Sequence, residues 1–571
     1  MTIQPNISTF ESDDFLLLMG NTASLRCEPI NHYIMKTNSI TPFIVLLTFF
    51  ICTGNAFSQQ ALSAQQWQED VRFLQETVHS DFPFLFKKVR KVTWDNEVEK
   101  LYAQIPALEA HEIEVGLARI VSLFQYGHTQ IPFSTVAKNG VLPVNLYHFE
   151  DGIYIEGTQK AHEKILGAKL LKVANVPIEE ALAMIRPVVP VENENYFKRY
   201  GLRFLTVPAV LHAQGVVPTY SETINLTVEK DGKVFQHDLP TIPLNELSRD
   251  YGFTIPNAQW SSSRSQAETP LYLKHLNGKY FYFEYLTESK TLYVRQSSVF
   301  DHETEKLKDF YTRLFEFVDG NEVDKFIYDV RLNGGGNNYN NKPLIQGIMA
   351  RPEINAPGKF FYIIGHDTFS ACQNLTNEIE TYTNAILIGQ ATSENKNFYG
   401  DAKKTTLPNS QLNAYLSFAW WQDKPQWENA DATAPHFKSE MTFEEYRSNQ
   451  DPVVKMAMDY GYESLITNPM DHFTQLFIAG EMEQLKTDAA RIIKDPMYAH
   501  IPFETEFIKV GDHMLAMGQN EGALFLYGMF TESFPENASM WEGLGKAFKG
   551  MGKNKEADDA FAKATTLVGK K

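Results

Sequence analysis

One serine of this sequence lies where a strand-like run meets a helical pattern. The stretch Gly365–Asn374 reads "GHDTFSACQN"; it follows the apolar run "KFFYII" and precedes the pattern "LTNEIETYTNA". Ser370 could cap that helix, as serine often does, although Asp367 and Thr368 could cap it equally well. Ser370 could instead attack a carbonyl, because a helix N-terminus stabilises the negative charge that develops in such a reaction. The residue type leaves both interpretations open.

A glycine-rich loop is the second feature with chemical potential. Asp329–Asn338 reads "DVRLNGGGNN" after another apolar run. Three glycines let backbone N–H groups point into a cavity, where they can hold an anion or an oxyanion. The alternative is an ordinary turn. A phosphate-binding loop is excluded, because no Lys-Ser/Thr pair follows a GxxxxG pattern.

His128, in the tripeptide "GHT", is the third feature. A single histidine at a helix end is more often structural, but imidazole titrates near neutral pH and can serve a serine as its base. The sequence contains no HExxH and no CxxC motif. We therefore expect no metal and no cofactor.

The elements that must position these residues form four regions of a multidomain α/β protein. Residues 59–138 show helical periodicity, as in "SAQQWQEDVRFLQETV", and 139–245 show short β-like runs, with "EKDGKV" predicted as a hairpin by its Asp-Gly pair. Residues 270–462 alternate strand and helix, with strands such as "DKFIYDVRL" and "NAILIGQ" that lack polar alternation. This pattern predicts parallel strands covered by helices.

Residues 470–571 are predicted to be helical repeats. Four small or aromatic positions recur 34 residues later, as Gly511 and Gly545, Gly518 and Gly552, Ala523 and Ala557, and Phe530 and Ala564. A period of 34 with small residues is typical of tetratricopeptide repeats. Two repeats bury little surface, so we expect them to dock on the core or to cap one another. They could also bind a protein partner.

Composition narrows the class of protein. The 571 residues exceed what one core can organise, and the net charge of -18 argues against nucleic acid and anionic membrane surfaces as partners. The segment 35–58, "MKTNSITPFIVLLTFFICTGNAFS", has the pattern of a signal peptide and is too short to remain as a stable membrane span. We therefore expect an exported protein, periplasmic or secreted, whose residues 1–34 are either not translated or disordered.

Taken together, the motifs resemble those of the tail-specific, or C-terminal-processing, serine peptidases, and especially their tricorn-like branch. The resemblance covers about Gln66 to Tyr460 and rests on the motifs "GHTQIPF", "FIYDVRLNGGGNN", "GHDTFSACQN", "IGQATSENKNFYG", "LPNS" and "TFEEYRSNQDPV". It implies a helical N-terminal domain, a PDZ-like β module with an insert in 139–245, and a crotonase-like α/β peptidase core in 270–462. It also implies peptide or protein substrates.

The resemblance assigns roles to individual residues. It makes Ser370 the nucleophile. One branch of the family takes a lysine of a GxxTxGK pattern as the base, but Asn395 stands at that position here and Lys396 comes one residue late. The tricorn-like branch implies His128 as the base and Glu428, in "ENADATAP", as the residue that orients it. Gly127 replaces the serine that precedes the histidine in that branch.

Physical reasoning favours the histidine. Imidazole is neutral near pH 7, whereas a lysine must be desolvated to lose its proton, and Lys396 lies in a polar stretch. The expected reaction is acyl transfer from a peptide to Ser370, with the oxyanion held by the N–H groups of Ala371 and Gly335. A binding protein without catalysis on the same fold is the alternative, with the helical repeats as an interaction scaffold.

Overall fold

The computed structural model describes residues 61–427, 430–460, 466, 468–495, 498 and 501–568. The segments predicted as 1–34 and 35–58, and also Glu428, lie outside the described residues. The described chain divides into two compact units: 61–265 with 397–422, and 266–396 with 423–568. None of the described helices is both long enough and apolar enough to cross a membrane.

The first unit begins with helices and continues into antiparallel strands. Its helices are α1 Ala64–Asp81, α2 Lys91–Gln104, α3 Ala110–Ser122, α4 Phe133–Val136, α5 Ile178–Ile185, α6 Glu194–Tyr196 and α7 Pro208–Ala213. Its strands are β1 Val144–Phe149, β2 Gly152–Gln159, β3 Lys169–Val173, β4 Val176–Pro177, β5 Thr223–Lys230, β6 Lys233–Pro240, β7 Arg249–Asp250, β8 Phe253–Thr254 and β9 Trp260–Ser262.

Local sequence rules account for the ends of these elements. Helix α1 starts at a capping box, in which the Ser63 hydroxyl accepts from the Gln66 N–H and the Gln66 side chain accepts from the Ser63 N–H. The predicted hairpin is confirmed, because β5 and β6 pair antiparallel around Asp231 and Gly232, whose φ values are 52° and 71°. Two positive φ values are the mark of a type I′ turn, which matches the twist of the strands that it joins.

A long hairpin, β15 Phe398–Thr406 and β16 Asn413–Trp421, belongs to the first unit although its sequence lies inside the region predicted as the peptidase core. Its contacts explain why: the Thr129 and Ser417 hydroxyl groups are hydrogen-bonded at 2.8 Å, and Asp70 accepts the Asn409 and Ser410 N–H groups at 2.8 Å each. The predicted four-part division of the chain stays a prediction.

The second unit contains the alternating elements. Its strands are β10 Phe281–Leu286, β11 Thr291–Gln296, β12 Lys325–Asp329, β13 Phe360–Ile364, β14 Ile386–Gly389 and β17 Phe437–Lys438. Its helices are α8 Leu307–Gly320, α9 Lys342–Met349, α10 Ala371–Tyr382, α11 Phe443–Arg447, α12 Pro452–Asp459, α13 Pro469–Ala479, α14 Met482–Ile492, α15 Phe503–Ala516, α16 Asn520–Ser533, α17 Ala538–Gly550 and α18 Asn554–Val568.

These strands form one sheet in the order β10-β11-β12-β13-β14-β17, in which only the β10–β11 pair is antiparallel. Every residue of β11, β13 and β14 is buried, which confirms the predicted parallel layer. Helices α8, α9 and α10 pack on one face of the sheet. The carboxyl ends of β12 and β13 lead into the glycine loop and into Ser370, so this edge of the sheet carries the candidate site.

The C-terminal helices pack on the opposite face of the same sheet. Residues of α12 to α18 share one apolar cluster with strand residues such as Ile327, Phe361 and Ile388. Two glycines permit close packing of equivalent helix pairs: a Cβ on Gly511 would lie 2.4 Å from the Tyr527 ring, and one on Gly545 would lie 2.6 Å from the Phe561 ring. The two glycines are 34 residues apart, and so are the two aromatic residues that they face, as the predicted repeat requires. Assignment of these helices as tetratricopeptide repeats stays a prediction.

Candidate active site

Ser370 stands at a sharp turn between strand β13 and helix α10. Its φ is 55° and its ψ is -129°, a conformation that costs an L-residue roughly 1–3 kcal/mol. The hydroxyl makes no capping bond to the helix, so the capping interpretation of Ser370 is wrong. A serine on a strained turn from a strand into a helix has the geometry of a nucleophile elbow, which aims the hydroxyl away from its own backbone.

The glycine loop packs directly against this elbow. The Phe369 N–H donates to the Asn333 carbonyl at 3.2 Å, and Gly335 has a φ of 104°. A Cβ at Gly335 would lie 2.7 Å from the Ser370 Cβ and 2.9 Å from the Ala371 nitrogen. Real Cβ atoms do not approach so closely. Only glycine therefore fits beside the serine.

Some backbone N–H groups at the elbow and in the glycine loop make no hydrogen bond within the described residues. Ala371 is the first residue of α10, and within the described residues its N–H makes no hydrogen bond. The same holds for the N–H groups of Gly334 and Gly336, whereas the Gly335 N–H donates to the Asn333 side chain at 2.9 Å. The Gly335 N–H, which the sequence predicted as an oxyanion donor, is therefore already bonded, whereas the Gly336 N–H is not. Sequence reasoning missed the part played by Asn333.

A carboxylate that the sequence did not single out supports the elbow. Glu394 is fully buried, and its Oε2 accepts the Ser370 N–H at 2.8 Å. The polar stretch around Lys396, which comprises Glu394, Asn395 and Asn397, is buried. No sequence signal marks Glu394 beyond its place between a buried strand and Lys396.

Lys396 is committed to an ion pair. Its Nζ donates to both carboxylate oxygens of Glu380, at 3.0 and 2.9 Å, and the Lys424 Nζ lies 3.1 Å from the same carboxylate. Burial alone would raise the pKa of the Glu380 carboxyl, but the two ammonium groups outweigh burial and hold that pKa below its ordinary value. Because the Lys396 Nζ is already bonded to both Glu380 oxygens, this ion pair argues against Lys396 as the base.

Described residues before and after Glu428 are bonded to helix α10 and to Lys396. Before it, Asn374 Nδ2 donates to Asp423 at 2.6 Å. After it, the Ala430 carbonyl accepts the Lys396 N–H at 3.1 Å, and the Gln373 side-chain amide donates to the Thr433 hydroxyl at 2.9 Å. The flanks of Glu428 are therefore held by the helix that starts directly after Ser370.

His128 lies in the first unit, where its loop is anchored by a buried carboxylate. The Gly127 N–H donates to Glu192 at 2.8 Å, and the His128 ring stacks on Phe398 with 6.3 Å between centroids. Burial lowers the pKa of His128, although the carboxylates of Glu192 and Asp401 act in the opposite direction. A neutral imidazole at neutral pH is the form that can accept a proton from a serine.

The neighbouring Thr129 hydroxyl is bonded to Ser417, so the first unit holds it in place. Across the part of the chain that the structure describes, no three His, Cys, Asp or Glu side chains are grouped so that they could hold a metal ion. The structure thus brings Ser370, Ala371 and the glycine loop together within one unit. It describes His128 within the other unit.

Comparison with known proteins found matches among solved structures. The sequence matches no family model and no curated protein. The chain is similar to mature CPAF (10% identity, TM-score 0.46, covering 69% of this chain and 98% of that one). It is also similar to the photosystem II D1 C-terminal processing protease (11%, 0.32, 66% and 94%) and to the tricorn protease (12%, 0.32, 69% and 36%). All three TM-scores lie below 0.5, so the inferences below depend on the residues around Ser370.

Proposed function

We propose that this chain is a serine peptidase that hydrolyses peptide bonds through an acyl-enzyme on Ser370. The observation that carries the proposal is the strained backbone of Ser370 at the turn from β13 into α10, with the Ala371 N–H open beside it. Strain of 1–3 kcal/mol at one residue persists only where the surrounding structure imposes it, and it is typical of nucleophile turns.

The first half of the reaction forms the acyl-enzyme. The Ser370 Oγ attacks the peptide carbonyl while a base removes its proton, and the oxyanion is held by the Ala371 N–H and a second donor. We assign the second donor to the Gly336 N–H, because the Gly335 N–H is bonded to Asn333 in this structure. The base then gives its proton to the leaving amine, and the peptide C–N bond breaks.

Water completes the cycle. It attacks the acyl carbon, the base accepts its proton, and collapse of the second tetrahedral intermediate returns the proton to Ser370 and releases the new carboxyl terminus. We assign the base to His128, whose burial favours the neutral ring, and we assign its orientation to Glu428. The anchored flanks of Glu428 on α10 support this role, and the ion pair of Lys396 with Glu380 argues against a lysine base.

A fluorophosphonate probe tests the proposal, because an activated serine attacks its phosphorus and displaces fluoride, which leaves the serine phosphonylated. Wild-type protein should be labelled, and Ser370→Ala should not. His128→Ala should lower the labelling rate about 10²- to 10⁴-fold, which is the usual contribution of a general base. Lys396→Met is the matched variant and should keep most of the rate. Folded wild type that is never labelled would refute the proposal, and loss of activity in Lys396→Met alone would move the base to lysine.

We further propose that the protein is exported and that its C-terminal helices bind a protein partner. The pattern of residues 35–58 supports export, which N-terminal sequencing of the mature protein tests. The partner test must avoid truncation, because α12 to α18 share an apolar cluster with the sheet and their removal would uncover it. Charge reversal at exposed positions of α18 should reduce partner capture and leave peptide cleavage intact.

A further inference from the structure

Glu394 is a buried carboxylate placed against the nucleophile. It has no exposed surface, and its Oε2 lies 2.8 Å from the Ser370 nitrogen. Removing a carboxylate from water is costly unless hydrogen bonds compensate. The contact with Ser370 is one such bond, and it is made to the backbone of the strained residue.

The segment that carries Glu394 is fixed on both sides. The Ser393 N–H donates to the Thr368 carbonyl at 3.2 Å, two residues before Ser370. After Glu394, the Asn377 side chain of α10 donates to the Lys396 carbonyl at 2.8 Å. The carboxylate therefore cannot follow the serine if the turn relaxes, and it acts as a fixed point.

The bond to Glu394 opposes relaxation of the turn. The φ angle of Ser370 is a rotation about its own N–Cα bond, and L-residues favour negative φ values. Relaxation of φ away from 55° would turn the Ser370–Ala371 peptide and the side chain relative to the Ser370 N–H. The Ser370 carbonyl accepts the Gln373 N–H at 2.7 Å, so helix α10 holds the peptide that follows Ser370 while Glu394 holds the N–H that precedes its Cα. Because both sides of the N–Cα bond are held, φ is kept near 55°, and the Ser370 Oγ and the Ala371 N–H keep their present directions.

We propose that Glu394 is a positioning residue of the nucleophile, which acts through its hydrogen bond to the Ser370 N–H; this inference rests on the proposed peptidase function of Ser370. The role needs an acceptor at the right distance and not a charge. Glutamine keeps the acceptor and the length without the charge, whereas aspartate keeps the charge and is shorter by one carbon–carbon bond, about 1.5 Å.

The kinetic test compares Glu394→Gln with Glu394→Asp, and Ser393→Ala serves as a control that removes a neighbouring buried hydroxyl. The Gln variant and the control should keep kcat within about threefold. The Asp variant should lose kcat by about tenfold to 10²-fold with little change in KM, as expected for a nucleophile displaced by about 1 Å. A normal Asp variant beside an impaired Gln variant would overturn the proposal, and so would three variants with wild-type kcat.

A second measurement separates this inference from the proposed function. Hydrogen exchange of the Ser370 amide in the full-length protein does not require activity. The amide should be protected in wild type and in Glu394→Gln, and it should exchange at least about tenfold faster in Glu394→Asp. Equal exchange in wild type and Asp would refute the positioning role even in an active enzyme. Unlabelled wild type with the expected exchange pattern would refute the peptidase and leave the contact intact.

Discussion

Gly335→Ala should disturb the turn at Ser370 through a single methyl group. The new Cβ would lie 2.7 Å from the Ser370 Cβ, about 1 Å short of the roughly 3.5–4.0 Å that two carbon atoms prefer. Its φ of 104° is also unfavourable for alanine, at about 1–3 kcal/mol, and overpacking adds about 1–3 kcal/mol. The free energy of unfolding should therefore fall by about 2–6 kcal/mol.

The catalytic rate of Gly335→Ala should fall by more than its loss of stability alone explains. Relief of the overlap requires a shift of about 1 Å between the glycine loop and the elbow, and a displacement of this size can cost about 10²-fold in rate. Thermal unfolding and the rate of fluorophosphonate labelling measure the two effects. Gly278→Ala is the matched control, because a Cβ there meets no atom within 4 Å. A folded Gly335→Ala protein that labels at the wild-type rate would refute the close packing of loop and serine.

Three further predictions concern charges. Lys396→Met should lower the free energy of unfolding by about 1–3 kcal/mol, measured by chemical denaturation, because Glu380 loses two charged hydrogen bonds; unchanged stability would contradict the ion pair. The acid limb of the pH–rate profile should have its midpoint below 6.5, since burial lowers the pKa of His128; a midpoint at or above 6.5 would exclude it as the base. Burial lowers the pKa of His111 and of His162, and a neighbouring histidine lowers each pKa further. As the pH falls, these two side chains therefore take up protons in the unfolded chain before they do so in the folded chain. The stability of the first unit should therefore be full above pH 6.5 and fall below it, with a shallower pH dependence of Tm in a variant that carries His111→Gln and His162→Gln; equal slopes would refute this linkage.

Much of the second unit could be predicted from local patterns. Apolar runs without alternation became the strands β12, β13 and β14, and the helical pattern after Ser370 became α10. The turn of Asp231 and Gly232 followed from residue type, since both must adopt positive φ. These features depend on residues close in sequence, where periodicity and backbone preference decide the outcome.

The hairpin of β15 and β16 could not be assigned in this way. Its sequence has the same strand character as its neighbours, and only its contacts with Thr129 and Asp70 place it in the first unit. Those contacts join residues almost 300 or more positions apart, and no local pattern records them.

The sequence by itself determined the position of Ser370 between a strand and a helix and the glycines that precede it. Only the tertiary structure decided which contacts those residues make. The serine could cap a helix until its φ of 55° and its missing cap bond excluded that role. The donor of the glycine loop and the burial of Glu394 depend on hydrogen bonds between segments distant in sequence. Backbone direction and long-range contacts are collective properties of the folded chain, so residue types specify them only once the chain has folded.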